Sequence, residues 1–267
     1  MKRGLWLVAG AFLWGAVPAS AQLAELASAR SAYNQQLFDE AIEAALNAQK
    51  VGTTADAATV VLSRSYLERY RQRANPADLA AARAQLGTVR VANLDARDHV
   101  DFLMALGEAL FFEDDFGAAA AMFESGIESA LAQGDATGEA MLDWWGSAVE
   151  RQAERLEREQ RAVVFNRMRE RMLRELAGNP ASAAAGYWSV VATRGAGDAL
   201  GAWDAAIASW VRARLAGGRS AQLRADLDKL VLEGIIPDRV RLLEPEKRGQ
   251  TEADLRTEWA VVKERWK

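Results

Sequence analysis

The chain has 267 residues, with 33 lysines and arginines against 37 aspartates and glutamates, a single histidine and no cysteine. A formal net charge of −4 leaves no electrostatic footprint for nucleic acid or for an anionic membrane surface. The lack of cysteine excludes a disulfide framework and a lipid-modified cysteine. One histidine is too few for a metal site built on two or more His or Cys ligands.

The first segment reads as an export signal. Lys2 and Arg3 give a short positive start, Leu5 to Val17 is almost uninterruptedly apolar, and Ala19-Ser20-Ala21 offers the small-x-small pattern of a signal-peptidase site. The run is about a dozen residues, short of the roughly 20 that a spanning helix needs. Residues 1–21 are therefore expected to be a cleavable signal peptide, leaving Gln22 first in a periplasmic or secreted product. No later stretch is apolar for long enough to cross a bilayer, so no transmembrane segment is expected in the mature chain.

Beyond residue 21, strand signals are nearly absent and apolar residues recur at three- and four-residue spacing. This spacing predicts helices over 22–34, 38–49, 55–72, 77–91, 97–112, 116–132, 137–159, 161–177, 181–193, 197–215, 220–233 and 251–266. Gly52-Thr53-Thr54, Asn93-Leu94-Asp95, Gln133-Gly134-Asp135 and Asn179-Pro180 punctuate them with turn and capping residues. Ser220, after Gly217-Gly218-Arg219, is placed as an N-cap. Gly234 and Pro237 are expected to interrupt the helix that carries Leu223, Leu227 and Leu230. In the last helix Leu255, Trp259, Val262 and Trp266 form an apolar stripe suited to sealing the end of an array.

Residues 103–126 carry a repeat pattern. Leu103, Leu106, Gly107 and Leu110 share one helix, followed after a short turn by Phe116, Ala119, Phe123 and Gly126. That order of large and small residues resembles the tetratricopeptide repeat. Weaker copies precede it. In the first pair Ala29, Ala41, Ala45 and Ala48 take the small positions and Phe38 the aromatic one. In the second, Leu62, Ser63 and Tyr66 are answered by Leu79, Ala82 and Leu86. The resemblance implies an all-α, right-handed solenoid of antiparallel helix pairs with a C-terminal capping helix. Helix pairs of this type fill 22–136, and 137–267 is a degenerate continuation and cap of the same continuous domain. It also implies a concave face lined by the first helix of each pair, which places Arg30, Asn34, Arg64, Glu68, Asp101 and Glu108 toward a bound partner.

Catalytic constellations are missing from the sequence. There is no G-x-S-x-G elbow, no P-loop, and no glycine fingerprint after a strand. Glu124-Ser125 has the dipeptide of a glutamate-dependent cell-wall hydrolase, but beside Phe123 in the best repeat it reads as structural. The charged stretch 150–175 offers Glu154 with Arg158, Glu157 with Arg161 and Glu170 with Arg174 at helical spacing. Trp144, Trp145, Trp188, Trp203 and Trp210 concentrate aromatic surface in the second half, and adjacent Trp144 and Trp145 cannot share one helix face.

The expectation is an exported, non-enzymatic scaffold or adaptor. It would bind a peptide or partner helix of another envelope or secreted protein, without cofactor, metal or nucleic acid. The alternative is a cell-wall glycan-binding or glycan-acting accessory protein using the Trp-rich half. Self-association is a third possibility.

Overall fold

A computed structural model describes residues 19–267, and most of the expected signal peptide lies outside the described residues. Among the described residues every regular element is helical and none is a strand, with successive helices packed in adjacent pairs. The chain divides into two compact units between Asn93 and Leu94.

The first unit contains α1 (Ala19–Asn34), α2 (Phe38–Gln49), α3 (Ala55–Arg73) and α4 (Pro76–Leu86). Each packs on the next, and α1 also touches α3. Ala29, Ala41, Ala45, Ala48, Ala58 and Ala82 are wholly buried, so backbones approach closely. Leu26, Ile42, Val61 and Leu62 fill the remaining space. Asn75 caps α4 by accepting the Ala77 N–H at 3.1 Å, and Pro76 stands at the first helical position, where its missing N–H costs nothing.

Ion pairs bind these helices across their polar edge. Arg69 of α3 donates to Asp78 of α4 through Nε at 3.0 Å and Nη2 at 2.5 Å, and to Asp39 of α2 through Nη1 at 2.8 Å. Asp56, at the start of α3, accepts the backbone N–H of Arg90 at 3.0 Å and the Asn93 amide at 2.6 Å. That carboxylate explains a difference from the sequence reading. Periodicity carries the fourth helix to residue 91, but it ends at Leu86 because the following segment is drawn back onto Asp56.

The second unit contains α5 (Ala96–Phe112), α6 (Phe116–Ala132), α7 (Asp135–Glu154), α8 (Arg158–Gly178), α9 (Ala183–Gly195) and α10 (Ala199–Ala213). It continues through α11 (Ser220–Leu230), α12 (Ile236–Arg241) and α13 (Arg248–Arg265). Besides sequential packing, α5 touches α7, α7 touches α9 and α9 touches α11. Two clusters of large side chains form its interior. One gathers Phe123, Met141, Trp145, Met168, Met172 and Trp188; the other gathers Trp203, Trp210, Leu227, Ile235, Ile236 and Trp259.

The glycines of the repeat pattern have a visible purpose. A Cβ on Gly107 would stand 2.4 Å from the Phe123 ring, and one on Gly126 would stand 2.7 Å from the Met141 methyl group. Small residues on one helix thus receive large ones from the next.

Two helix ends depart from the periodicity. The seventh helix stops at Glu154 instead of 159, because Arg161 donates to the carbonyls of Ala153 at 3.2 Å and Leu156 at 3.0 Å and closes its end. Arg161 is therefore spent on backbone rather than on the expected Glu157 pairing. Gly234 and Pro237 do not break the chain out of helix. Val231–Ile235 widens into a π turn, and Pro237 follows it as the second residue of α12.

Candidate functional site

The six residues placed on a concave face by sequence fall in both units. Arg30, Asn34, Arg64 and Glu68 belong to the first. Arg64 lies over the Tyr33 ring at 4.8 Å. Asn34 and Glu68 line a hollow of about 240 Å³ with Tyr33, Gln36, Phe38, Arg71 and Gln72, and Glu68 pairs with Arg71 at 2.5 Å. Asp101 and Glu108 belong to α5 of the second unit, the former half-buried and the latter only 2% exposed.

A larger concavity lies within the second unit, between α7, α9 and α11. It measures about 500 Å³ and is lined by residues including Glu139, Asp143, Tyr187, Trp188, Arg219 and Asp226. A second hollow of about 400 Å³ shares Tyr187 and Asp226 with it and reaches Arg194, Lys229 and Glu233. Each helix contributes a single face at helical spacing. Glu139, Asp143, Gly146 and Glu150 recur along α7; Gln222, Asp226, Lys229 and Glu233 recur along α11 and its π extension.

Glycine determines how closely these helices meet. A Cβ on Gly146 would lie 2.4 Å from the Trp188 ring, so only glycine lets that indole lie against α7. Held there, the Trp188 indole N–H donates to Asp143 Oδ1 at 2.8 Å. Glu139 accepts the Ala184 N–H at 2.8 Å, and Ser182 Oγ accepts the Ala185 N–H at 3.1 Å, so the N-terminus of α9 is filled from within. Arg219 stands 3.3 Å from the same Glu139 carboxylate.

The electrostatics follow from enclosure. Asp143 is reached by water but walled by protein, and burial pushes its pKa up; the Trp188 bond opposes the rise, while Asp226 and Glu139 add to it as like charges. Burial also raises Glu150, with Glu154 reinforcing it. Tyr187 is pushed up to about 12 by burial and by the neighbouring carboxylates of Glu150, Asp226 and Asp143. Its phenol therefore keeps its proton across the physiological range. The cleft offers carboxylate acceptors and one aromatic ring at the point where its two hollows join.

Among the described residues the tryptophans are mostly interior. Trp145, Trp188, Trp203 and Trp210 are buried, and Trp259 packs beside Trp203 at 6.0 Å and Trp210 at 5.3 Å between ring centres. Trp144 is half-buried and stacks on Phe123, whereas Trp145 points into the core, as their adjacency requires. Glu124 accepts from Arg167 at 3.2 Å on a half-exposed edge of α6. Among the described residues no group of three or more His, Cys, Asp or Glu is placed to hold a metal ion, and no helix is long and apolar enough to cross a membrane.

No protein-family model matches the chain, and neither a curated protein nor a solved structure matches it.

Proposed function

We propose that the protein is an exported, non-enzymatic adaptor of tetratricopeptide-repeat type. It acts in the periplasm or outside the cell and holds a segment of another envelope or secreted polypeptide. In this reading the helix pairs wind as a right-handed solenoid sealed by α13, whose Trp259 is wholly buried in the terminal core. The observation that carries the reading is the cleft between α7, α9 and α11. Each of these is the first helix of a pair, and first helices line the concave side of such arrays. Its volume of about 500 Å³ lies within the range of sites that enclose a ligand group. Compared with the sequence expectation, the preferred groove moves from α1, α3 and α5 to α7, α9 and α11.

The glycan alternative has less to stand on, because burial of Trp145, Trp203 and Trp210 leaves them no surface on which to stack a sugar. The adaptor reading is tested with a photo-crosslinking amino acid placed at Gln222, an exposed residue of the cleft, and at Val163 on the exposed face of α8. The expected result is a discrete adduct with one polypeptide from Gln222 only, lost when Ala140→Trp fills the cleft. Equal labelling from both positions, or an adduct indifferent to Ala140→Trp, defeats the reading. Export is tested by sequencing the N-terminus of protein recovered outside the cytoplasm; Gln22 is expected, and cytoplasmic protein retaining Met1 overturns it.

A further inference from the structure

Resting on the adaptor reading, we propose that the bound polypeptide inserts a basic side chain, lysine or arginine, between Asp143 and Asp226 beside the Tyr187 ring. A helix N-terminus is the usual attraction for an anion, but that of α9 is taken by Glu139 and Ser182. The cation at this end, Arg219, is paired with Glu139, and Arg194 at the other end is paired with Asp238 at 2.6 Å. An acidic or phosphorylated segment would compete with these carboxylates for Arg219 and Arg194, leaving Lys229 of the adjoining hollow as its one unpaired cation among the lining residues.

In the larger hollow two carboxylates are left. Asp143 receives the Trp188 indole N–H on Oδ1, and Asp226 receives the Gln222 amide on Oδ1 at 2.9 Å. Among the described residues neither has an ion-pair partner within 4.0 Å, and their second oxygens remain open to a donor. They also repel each other, since Asp226 is among the charges that make ionised Asp143 costly. An ammonium or guanidinium between them supplies donors and relieves the repulsion at once. A neutral apolar side chain would strip water from both carboxylates and return nothing.

The remaining walls suit the stem of a basic residue. Ala140, Ala183, Ala184 and Leu223 give it apolar surface, and Tyr187 lines the same hollow. The adjoining hollow, with Arg194, Lys229 and Glu233, leaves room for a neighbouring side chain of the same segment.

The test uses blocked alanine–leucine hexapeptides that differ only at one central position: lysine, arginine, norleucine or glutamate. They are titrated into the purified full chain, following the Trp188 indole N–H signal by NMR and binding heat by calorimetry. Lysine or arginine peptides are expected to bind about tenfold more tightly than norleucine, with glutamate weakest and the preference shrinking as salt is added. The double variant Asp143→Asn with Asp226→Asn should erase that preference. A retained, dispersed set of indole signals shows the variant is folded. Equal affinity for lysine and norleucine overturns the proposal but leaves the adaptor standing, as does a preference that survives the double variant. Failure of all four peptides to bind also overturns it, and the adduct from Gln222 then decides whether the adaptor reading falls with it.

Discussion

The two units follow the same helix-pair plan with opposite packing materials. In the first, the helix seam is a row of alanines and the edge is bound by carboxylate–guanidinium contacts at Asp39, Asp56, Arg69 and Asp78. In the second, tryptophan, phenylalanine and methionine side chains drop into notches left by glycine at 107, 126 and 146. Close approach can thus be obtained by making both surfaces small or by fitting large to very small. The larger hollow, of about 500 Å³ against about 240 Å³, lies in the second unit, where Tyr187 and Trp188 of α9 form part of its wall.

The sharpest way to separate the two designs is to remove volume from the second unit. Trp259→Ala is expected to cost about 3–5 kcal/mol, since the side chain is wholly buried and its indole N–H donates to Asp228 at 2.7 Å. Denaturant unfolding measures the loss, and hydrogen exchange should locate it in α10–α13. A loss under about 1 kcal/mol would contradict the view that aromatic volume holds this unit together.

Next in size is the first unit's ion pair. Asp78 has a buried side chain and Arg69 is largely covered, so Asp78→Ala leaves a guanidinium without its bidentate partner at a cost of about 2–3 kcal/mol. Increased amide exchange in α3 and α4 is the expected signature. If Asp78→Ala and Asp78→Asn are equally harmless, alanine packing alone accounts for this unit.

A smaller effect comes from a single methyl group. Gly146→Ala forces Trp188 from α7 and should cost about 1–3 kcal/mol, shifting the Trp188 indole signal with it. Gly52→Ala, which meets nothing within 4 Å at an ordinary φ, should stay within about 0.5 kcal/mol. Similar losses at both positions would show that the notch against Trp188 does not set the requirement for glycine at 146.

The pH dependence is the smallest contrast and differs in sign. Asp39 is lowered by its bonds to Arg73 and Arg69. At Asp56, burial opposes ionisation but is outweighed by the Arg90 and Asn93 hydrogen bonds. Their contribution is present above the ordinary carboxylate pKa of about 3.9 and is lost as pH falls through their lower folded values. Asp143 and Glu150 are raised instead, so the folded state binds their protons more tightly than the unfolded chain does. Their stabilisation is present below about 4 and is lost as pH rises through the raised values. Acidification from neutrality should therefore raise amide protection, corrected for the intrinsic exchange rate, in α7 and α9 before it lowers it in α3, and Asp143→Asn should flatten the response in α7. Parallel responses in the two units would refute the contrast.

Much of the helical layout is legible in the sequence because it depends on local spacing. The three-and-four recurrence of apolar residues places the helices to within a few residues, and the small residues Gly107 and Ala119 mark a close approach of α5 and α6, although only the structure shows that the Phe123 ring is what Gly107 admits. The misread ends are those set by distant partners. Arg161 closes α7, and Asp56 pulls residues after Leu86 out of helix. The cleft has no local signature. Glu139, Asp143 and Glu150 have the same spacing as any solvated helix face, and nothing local distinguishes them from the charged face of α8.

The sequence by itself determined that the chain is helical, where most turns fall, and which positions demand small side chains, because backbone propensity and periodicity act over a few residues. Tertiary structure alone decided the compact units on either side of Asn93, the use of Glu139 to fill the end of a helix 45 residues away, and the choice of one ordinary acidic face as the wall of a cleft. Periodicity gives a residue its direction around its own helix. Packing alone brings another helix opposite it, and with that come the burial and like-charge crowding that turn a carboxylate into a binding group.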